Sequence, residues 1–320
     1  MRRQPWLLRH PREVLLVTAI VLGVLAVSVI GISFAVPLIR LSHAHAVVIA
    51  TGRLFFSLIM VMIALIATGS WRQWRALDRA GLVLAAGAGV LLALHFWAWN
   101  LSIALTTIAA STVLVDLQPV IVAGASAAWL KEAPSRQQWL GIGLAVFGAA
   151  VLGSADWGAG THGNRALMGD LLALGGGVAA ALYYLTGRRV RQQLDLWPYV
   201  AIVYGVCFLT LLAISVAAHL PLLHQPPREL AIFAALAAGP MLLGHTGMNW
   251  AVKYAPAFIV NLTVLGEPIG ATVLGALLPG IRELPSGRTL LGEAIVLIGI
   301  LVAVTHTAAT SGGKAVSESV

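Results

Sequence analysis

Runs of about twenty mostly apolar residues recur along the whole chain, and a run of that length is what a helix needs to cross a hydrocarbon core of roughly 30 Å. Ten can be marked, near 14–38, 46–68, 80–100, 103–128, 138–154, 167–186, 197–218, 230–250, 257–279 and 289–309. The connections are short, so no soluble domain of useful size interrupts them. Hydrophobic residues make up 59% of the 320 positions and charged residues only 10%, with a mean hydropathy of +0.90. A soluble domain carries roughly 25% charged residues, so lipid is the solvent for most of this surface. The sequence therefore predicts an all-α membrane protein of ten transmembrane helices.

The first run follows Arg2, Arg3, Arg9 and Arg12. It is too long for the apolar stretch of a signal peptide and no small-residue cleavage site ends it, so it is read as a helix. Cys207 is the single cysteine and lies within an apolar run, which excludes an intramolecular disulfide and a cysteine metal site. No metal or cofactor is expected. The net charge of +8 does not point to nucleic acid, because the basic residues fall in separated loops. Membrane topology accounts for them. With the N-terminus inside, fourteen Lys and Arg fall in cytoplasmic segments, among them Arg72, Arg75, Lys131, Arg188, Arg191 and Lys253; five fall outside, and Arg53 lies within the second run. Both termini are thus expected in the cytoplasm of a cell with this protein in its inner, or plasma, membrane. Trp71, Trp74, Trp129, Trp139 and Trp197 cluster near the inner helix ends, with Trp157 near an outer one, as interfacial anchors do.

The chain also repeats itself. A shift of 149 residues lays Asn100 on Asn249, Val115 on Val264, Gln118 on Glu267 and Pro119 on Pro268; two residues of insertion later, Glu132 meets Glu283, Gly141 meets Gly292 and Gly148 meets Gly299. Seven matches in order along one alignment indicate a tandem duplication. Each unit holds five helices, an odd number, so the second copy enters the membrane from the opposite side. The expected layout is a cytoplasmic tail over 1–13, a first repeat over 14–154, an external linker over 155–166, a second repeat over 167–309 and a cytoplasmic tail over 310–320. Inverted repeats with a site near the bilayer midplane are the architecture of alternating access.

The stretch from Ala109 to Gly153, AASTVLVDLQPVIVAGASAAWLKEAPSRQQWLGIGLAVFGAAVLG, resembles the C-terminal half of an EamA domain of the drug/metabolite transporter superfamily. So do GHTGMNWAVKYAPAFIVNLTVLGEP and the RELPSGRTLLGEAIVLIGI that follows it, and GDLLALGGGVAAALYYLTGRR is similar to the start of a second such domain. The resemblance covers roughly residues 14 to 308. It implies a ten-helix transporter with a central cavity between the repeats, commonly an exporter of amino acids or related metabolites.

Ionisable groups at membrane depth cost about 2.5–3.5 kcal/mol on insertion scales, so each is a functional-site hypothesis. Three stand there: Arg53, Asp116 and Glu267. Asp116 precedes Pro119 by three residues and Glu267 directly precedes Pro268. Pro119 and Pro268 are read as kinks that free a backbone carbonyl beside a polar side chain. Gln118 and Glu267 have the alternative of bracing kinked helices against each other. Asp116 has no repeat counterpart, since Leu265 stands opposite, which favours substrate or proton binding. Arg53 either pairs with Asp116 inside the bundle, as Glu267 could also do in coupling, or snorkels to the outer surface. Asn100 and Asn249 are repeat mates. His95 and Trp99 are four apart and share a helix face, a spacing that His245 and Asn249 reproduce. Imidazole, indole and amide together suit a polar organic molecule, although a buried histidine often serves only a carbonyl and an amide only an interhelical bond. Tyr183 and Tyr184 offer rings for stacking, with Tyr184 the one assigned to the cavity because adjacent helix residues point apart.

Catalytic signatures are absent: the sequence holds no G-x-S-x-G, no H-E-x-x-H and no Walker A loop. An intramembrane enzyme is therefore the disfavoured alternative, and ATP-driven pumping by this chain alone is excluded. The expected function is a secondary transporter of a small metabolite, an amino acid first and a cationic or drug-like compound second. Its partners are the small-molecule substrate, membrane lipid and protons as a coupling ion, with no nucleic acid. Monomer and homodimer are left open.

Overall fold

The computed structural model describes residues 11–106, 111, 114–154, 164–278 and 284–317. Among these residues the chain is helical with no strand. Ten segments are numbered here in chain order. The first half comprises α1 (Pro11–Ser33, then Ala35–Leu41 after a break at Phe34), α2 (Ala46–Ala67), α3 (Arg79–Leu105), α4 (Gln118–Leu130) and α5 (Arg136–Gly153). The second comprises α6 (Asn164–Val190), α7 (Leu196–Ala217), α8 (Pro227–Ala251), α9 (Ala257–Leu277) and α10 (Gly287–Ser317). Trp157, Arg282, Glu283 and the linker over 155–163 lie outside the described residues.

Among the described residues eight stretches, rather than the expected ten, are long and apolar enough to cross a membrane. The two exceptions are α4, whose described helix is short, and α5, whose first turn is the polar Arg136-Gln137-Gln138. Local chemistry sets the ends. The Nδ1 of His45 accepts from the Val47 amide at 3.3 Å to open α2, and Asp78 accepts from the Gly81 amide at 2.7 Å to open α3. Gly69, with φ +63°, follows the end of α2 in a conformation that favours glycine. Large apolar side chains such as Leu16, Ile30, Ile63, Leu209 and Leu301 are exposed around the bundle, as a lipid-facing surface requires. Trp71, Trp74, Trp129 and Trp139 are also exposed, and Arg72, Arg75 and Arg189 lie over the rings of Trp71 or Trp129.

Packing repeats the pattern of the sequence. Three pairings join equivalent helices of the two halves: α2 with α7, α4 with α9, and α5 with α10. The most extensive of the others come as exchanged couples: α3 on α6 and α8 on α1, α4 on α6 and α9 on α1, α3 on α7 and α8 on α2. A pattern that survives exchange of the halves is what a two-fold relation between them produces. The α5–α10 pairing is the tightest: a Cβ added at Gly141 would fall 2.6 Å from the Gly299 carbonyl, and one at Gly148 would fall 2.6 Å from the Val296 amide nitrogen. Backbone meets backbone there, as small residues permit in membranes.

Two helices are interrupted at matching places, just before Pro119 and Pro268. The chain turns at Asp116–Leu117 before α4 resumes at Gln118, and in α9 a 3₁₀ segment, Thr263–Gly266, separates Ala257–Leu262 from Glu267–Leu277. Each proline falls in the first turn of the renewed helix, where its missing N–H costs nothing. Helix α8 departs differently: Ala237–Thr246 is π-helical and contains Pro240, whereas α3, its partner in the other half, is regular.

Candidate functional site

The two interruptions face one cavity of about 420 Å³, within the size range of small-molecule sites. Its wall runs from the middle of the bundle to Arg40 and Pro285, at the end of the bundle where α1 joins α2 and α9 joins α10.

The break before α4 delivers Asp116, 6% exposed, with Oδ2 lacking any hydrogen-bond partner. The break in α9 delivers Glu267, whose side chain also lies on the wall. Helix α2 contributes Arg53. At 3% exposed it is sunk in the bundle rather than snorkelling, and among the described residues no ion pair within 4 Å joins it to Asp116 or Glu267. Its guanidinium lies over the Phe96 ring, 3.7 Å from the centroid, with Nε and one Nη hydrogen-bonded to nothing. A planar cation stacked on a ring keeps its edge free to donate.

Aromatic groups form the remaining wall. His95 donates from Nδ1 to the Gly176 carbonyl at 3.0 Å and stacks on Trp99, rings 8° from parallel and 6.1 Å apart. The indole N–H of Trp99 is buried without a partner. Phe96 meets His245 edge to face at 5.6 Å, and His245 Nδ1 is likewise unpartnered. Tyr184 donates to the Met248 sulfur at 3.1 Å. Tyr183 also lines the cavity, which corrects the assignment of only one tyrosine to it: the cavity wraps far enough around α6 to meet both rings.

Asn100 and Asn249 are placed elsewhere. Asn100 donates to the Ala46 carbonyl at 3.3 Å, and Asn249, 1% exposed, donates to the Tyr183 hydroxyl at 2.6 Å from behind the wall. Asn249 is four residues from His245, but the π segment ends between them at Thr246, and its wider turns shift the face on which later residues emerge. Gln118 braces the halves, accepting from Asn261 at 3.1 Å; the Glu267 side chain makes no such bond. Pro268 lies on the wall and Pro119 does not.

Phe96 was missed by the sequence reading. The signal that would have found it is the 149-residue shift, which lays Phe96 on His245: the two repeat mates meet each other at the cavity.

At the opposite end of the bundle a network of polar groups ties the turns together, although Glu132 Oε2 and the Tyr199 hydroxyl are buried without a partner. Arg188, at the end of α6, pairs with Glu132 at 2.7 Å and donates to the carbonyls of Val252 and Lys253 at 2.6 and 2.8 Å. Arg191 donates to the Asn249 carbonyl at 2.9 Å. Lys253 pairs with Asp195 at 2.8 Å, and Asp195 accepts from Gln73. Four inter-helix turns are tied together. Hydrogen bonds from Lys253 and Gln73 hold the Asp195 carboxyl below its ordinary range.

No curated protein matches the sequence. Among solved structures, a crystal structure of a protein matches with a TM-score of 0.71 at 19% identity, covering 91% of this chain and 98% of the other, a likeness of fold. The model of the EamA-like transporter family matches twice, over residues 17–154 and 167–305, the two halves that the packing exchanges. This multi-pass membrane protein belongs to the EamA-like transporter family.

Proposed function

We propose that the chain is a secondary transporter that carries a small organic metabolite across the inner membrane by alternating access, with export the favoured direction. In this reading both termini are cytoplasmic, and the halves over 14–154 and 167–309 are inverted five-helix repeats. The substrate is an amino acid or a related compound. The observation that carries the reading is the cavity itself: Asp116 and Glu267 at the two interruptions and Arg53 on α2 share its wall, and Asp116 and Arg53 have buried polar atoms without a partner, an arrangement that a merely structural core avoids. Its wall reaches one end of the bundle while the other end is tied shut, so the conformation suits loading from one side. The missing catalytic motifs weigh against an intramembrane enzyme. Asp116 and Glu267 are the groups that would exchange protons if transport is coupled to them.

The test is counterflow in proteoliposomes with a panel of amino acids, nucleosides and cationic dyes, comparing wild type with Asp116→Asn. Saturable movement of one class, chemically unchanged and impaired in the variant, is expected. Modification of the substrate during passage would replace carriage by enzymology. Flux indifferent to an imposed pH gradient would remove proton coupling.

A further inference from the structure

The carboxylates on the wall would suit a cationic substrate as well as an amino acid; Arg53 decides between them. Among the described residues it is the one cationic side chain placed deep in the cavity wall, 3% exposed, and it has no ion pair within 4 Å. Phe96 covers one face of the guanidinium, and Nε and an Nη are left with empty donor directions along its edge. That edge matches a carboxylate, whose two oxygens accept parallel N–H bonds from this fork.

Resting on the carrier reading above, we propose that Arg53 is the specificity-determining residue of the site. It receives a carboxylate of the transported molecule, so that the carrier requires this group and rejects the corresponding amine. An ammonium on the same molecule then has Asp116 available, whose Oδ2 is unused. A zwitterion fills both without changing the net charge of the cavity. A purely cationic compound adds its charge to that of Arg53 and leaves the guanidinium edge unfilled, a costly omission at low dielectric. The aromatic side of the cavity, Trp99 with Tyr183 and Tyr184, receives the remainder of the molecule.

The test uses matched pairs that differ only in the carboxylate: phenylalanine and phenethylamine, leucine and isopentylamine, histidine and histamine. Counterflow of each is measured in proteoliposomes of the full-length chain. At least one amino acid should move with an apparent affinity 10- to 100-fold better than its amine, the factor expected for a lost charge-assisted bond. Arg53→Met should erase that preference, and Arg53→Lys should keep it at weaker affinity, because the charge remains and the fork does not. Amines that move as well as amino acids in the wild type overturn the proposal and leave carriage intact, and a preference that persists in folded Arg53→Met overturns it too. If none of the six moves in folded protein, this proposal is overturned, and the carrier reading stands or falls by the wider panel. Should Arg53→Met not fold, the wild-type pairs and Arg53→Lys decide alone.

Discussion

Two clusters of charge within one bundle differ in how their groups are held. At the tied end, Arg188 holds Glu132 through Oε1 and donates to two carbonyls, and Lys253, Asp195 and Gln73 close a second set of bonds, with Glu132 Oε2 left over. In the cavity, Arg53, Asp116, Trp99 and His245 all retain polar atoms with no partner. Similar residues are used in both places, so the contrast lies in what surrounds them. The tied end spends most of its charges on bonds within the chain, whereas the cavity wall concentrates donors and acceptors that keep none.

Stability measurements can break this contrast. Arg188→Ala should have the largest effect, a loss of about 2–4 kcal/mol in equilibrium unfolding in detergent, since it orphans Glu132 and two carbonyls. Asn249→Leu should cost about 1 kcal/mol by the same measurement, the scale of one interhelical hydrogen bond in a membrane bundle, here the bond to Tyr183. Arg53→Met should change stability by less than about 1 kcal/mol and in the favourable direction, because it removes a buried charge without breaking a hydrogen bond. A loss for Arg53→Met as large as that for Arg188→Ala would dissolve the distinction. The smallest effect concerns Asp195. Its carboxyl titrates below its ordinary range in the folded chain, so its contribution is complete above the ordinary aspartate range and disappears as pH falls through the folded value. Its side chain is 58% exposed, so an acid titration of wild type against Asp195→Asn should differ by well under about 1 kcal/mol.

Much of the fold was written in hydropathy. Lipid demands apolar side chains over a fixed length, so helix positions such as those near 46–68 and 197–218 fall within a residue of Ala46–Ala67 and Leu196–Ala217. The interruptions were harder to read. A proline signals that the chain cannot continue as an ordinary helix, and Pro119 and Pro268 carry that signal equally for a kink or for a restart. The polar site residues were visible because polar groups are rare at depth, which is how His95, Trp99, Asp116, His245 and Glu267 were singled out. What the sequence lacks is helix rotation: Asn100 follows Trp99 by one residue, about 100° around the helix, and points to Ala46 instead of the cavity. The π segment of α8 left no periodic trace that would have moved Asn249 behind the wall. For Arg53 the depth along the helix was legible and its direction was not, since a position near a helix end says nothing about which neighbours cover it.

The α5–α10 contact has a thermal consequence. Side chains that pack must give up rotamers, and that loss grows in weight with temperature; glycine has none to give. Where Gly141 and Gly148 bring backbone against backbone, cohesion comes from dispersion at close range with no side-chain freedom surrendered. The α2–α7 side, filled by Leu54, Val61, Val203 and Leu211, lacks this advantage. On heating, amide hydrogen exchange should quicken along α2 and α7 while α5 and α10 are still protected, so that the molecule loosens from one flank and the glycine line is the last to part.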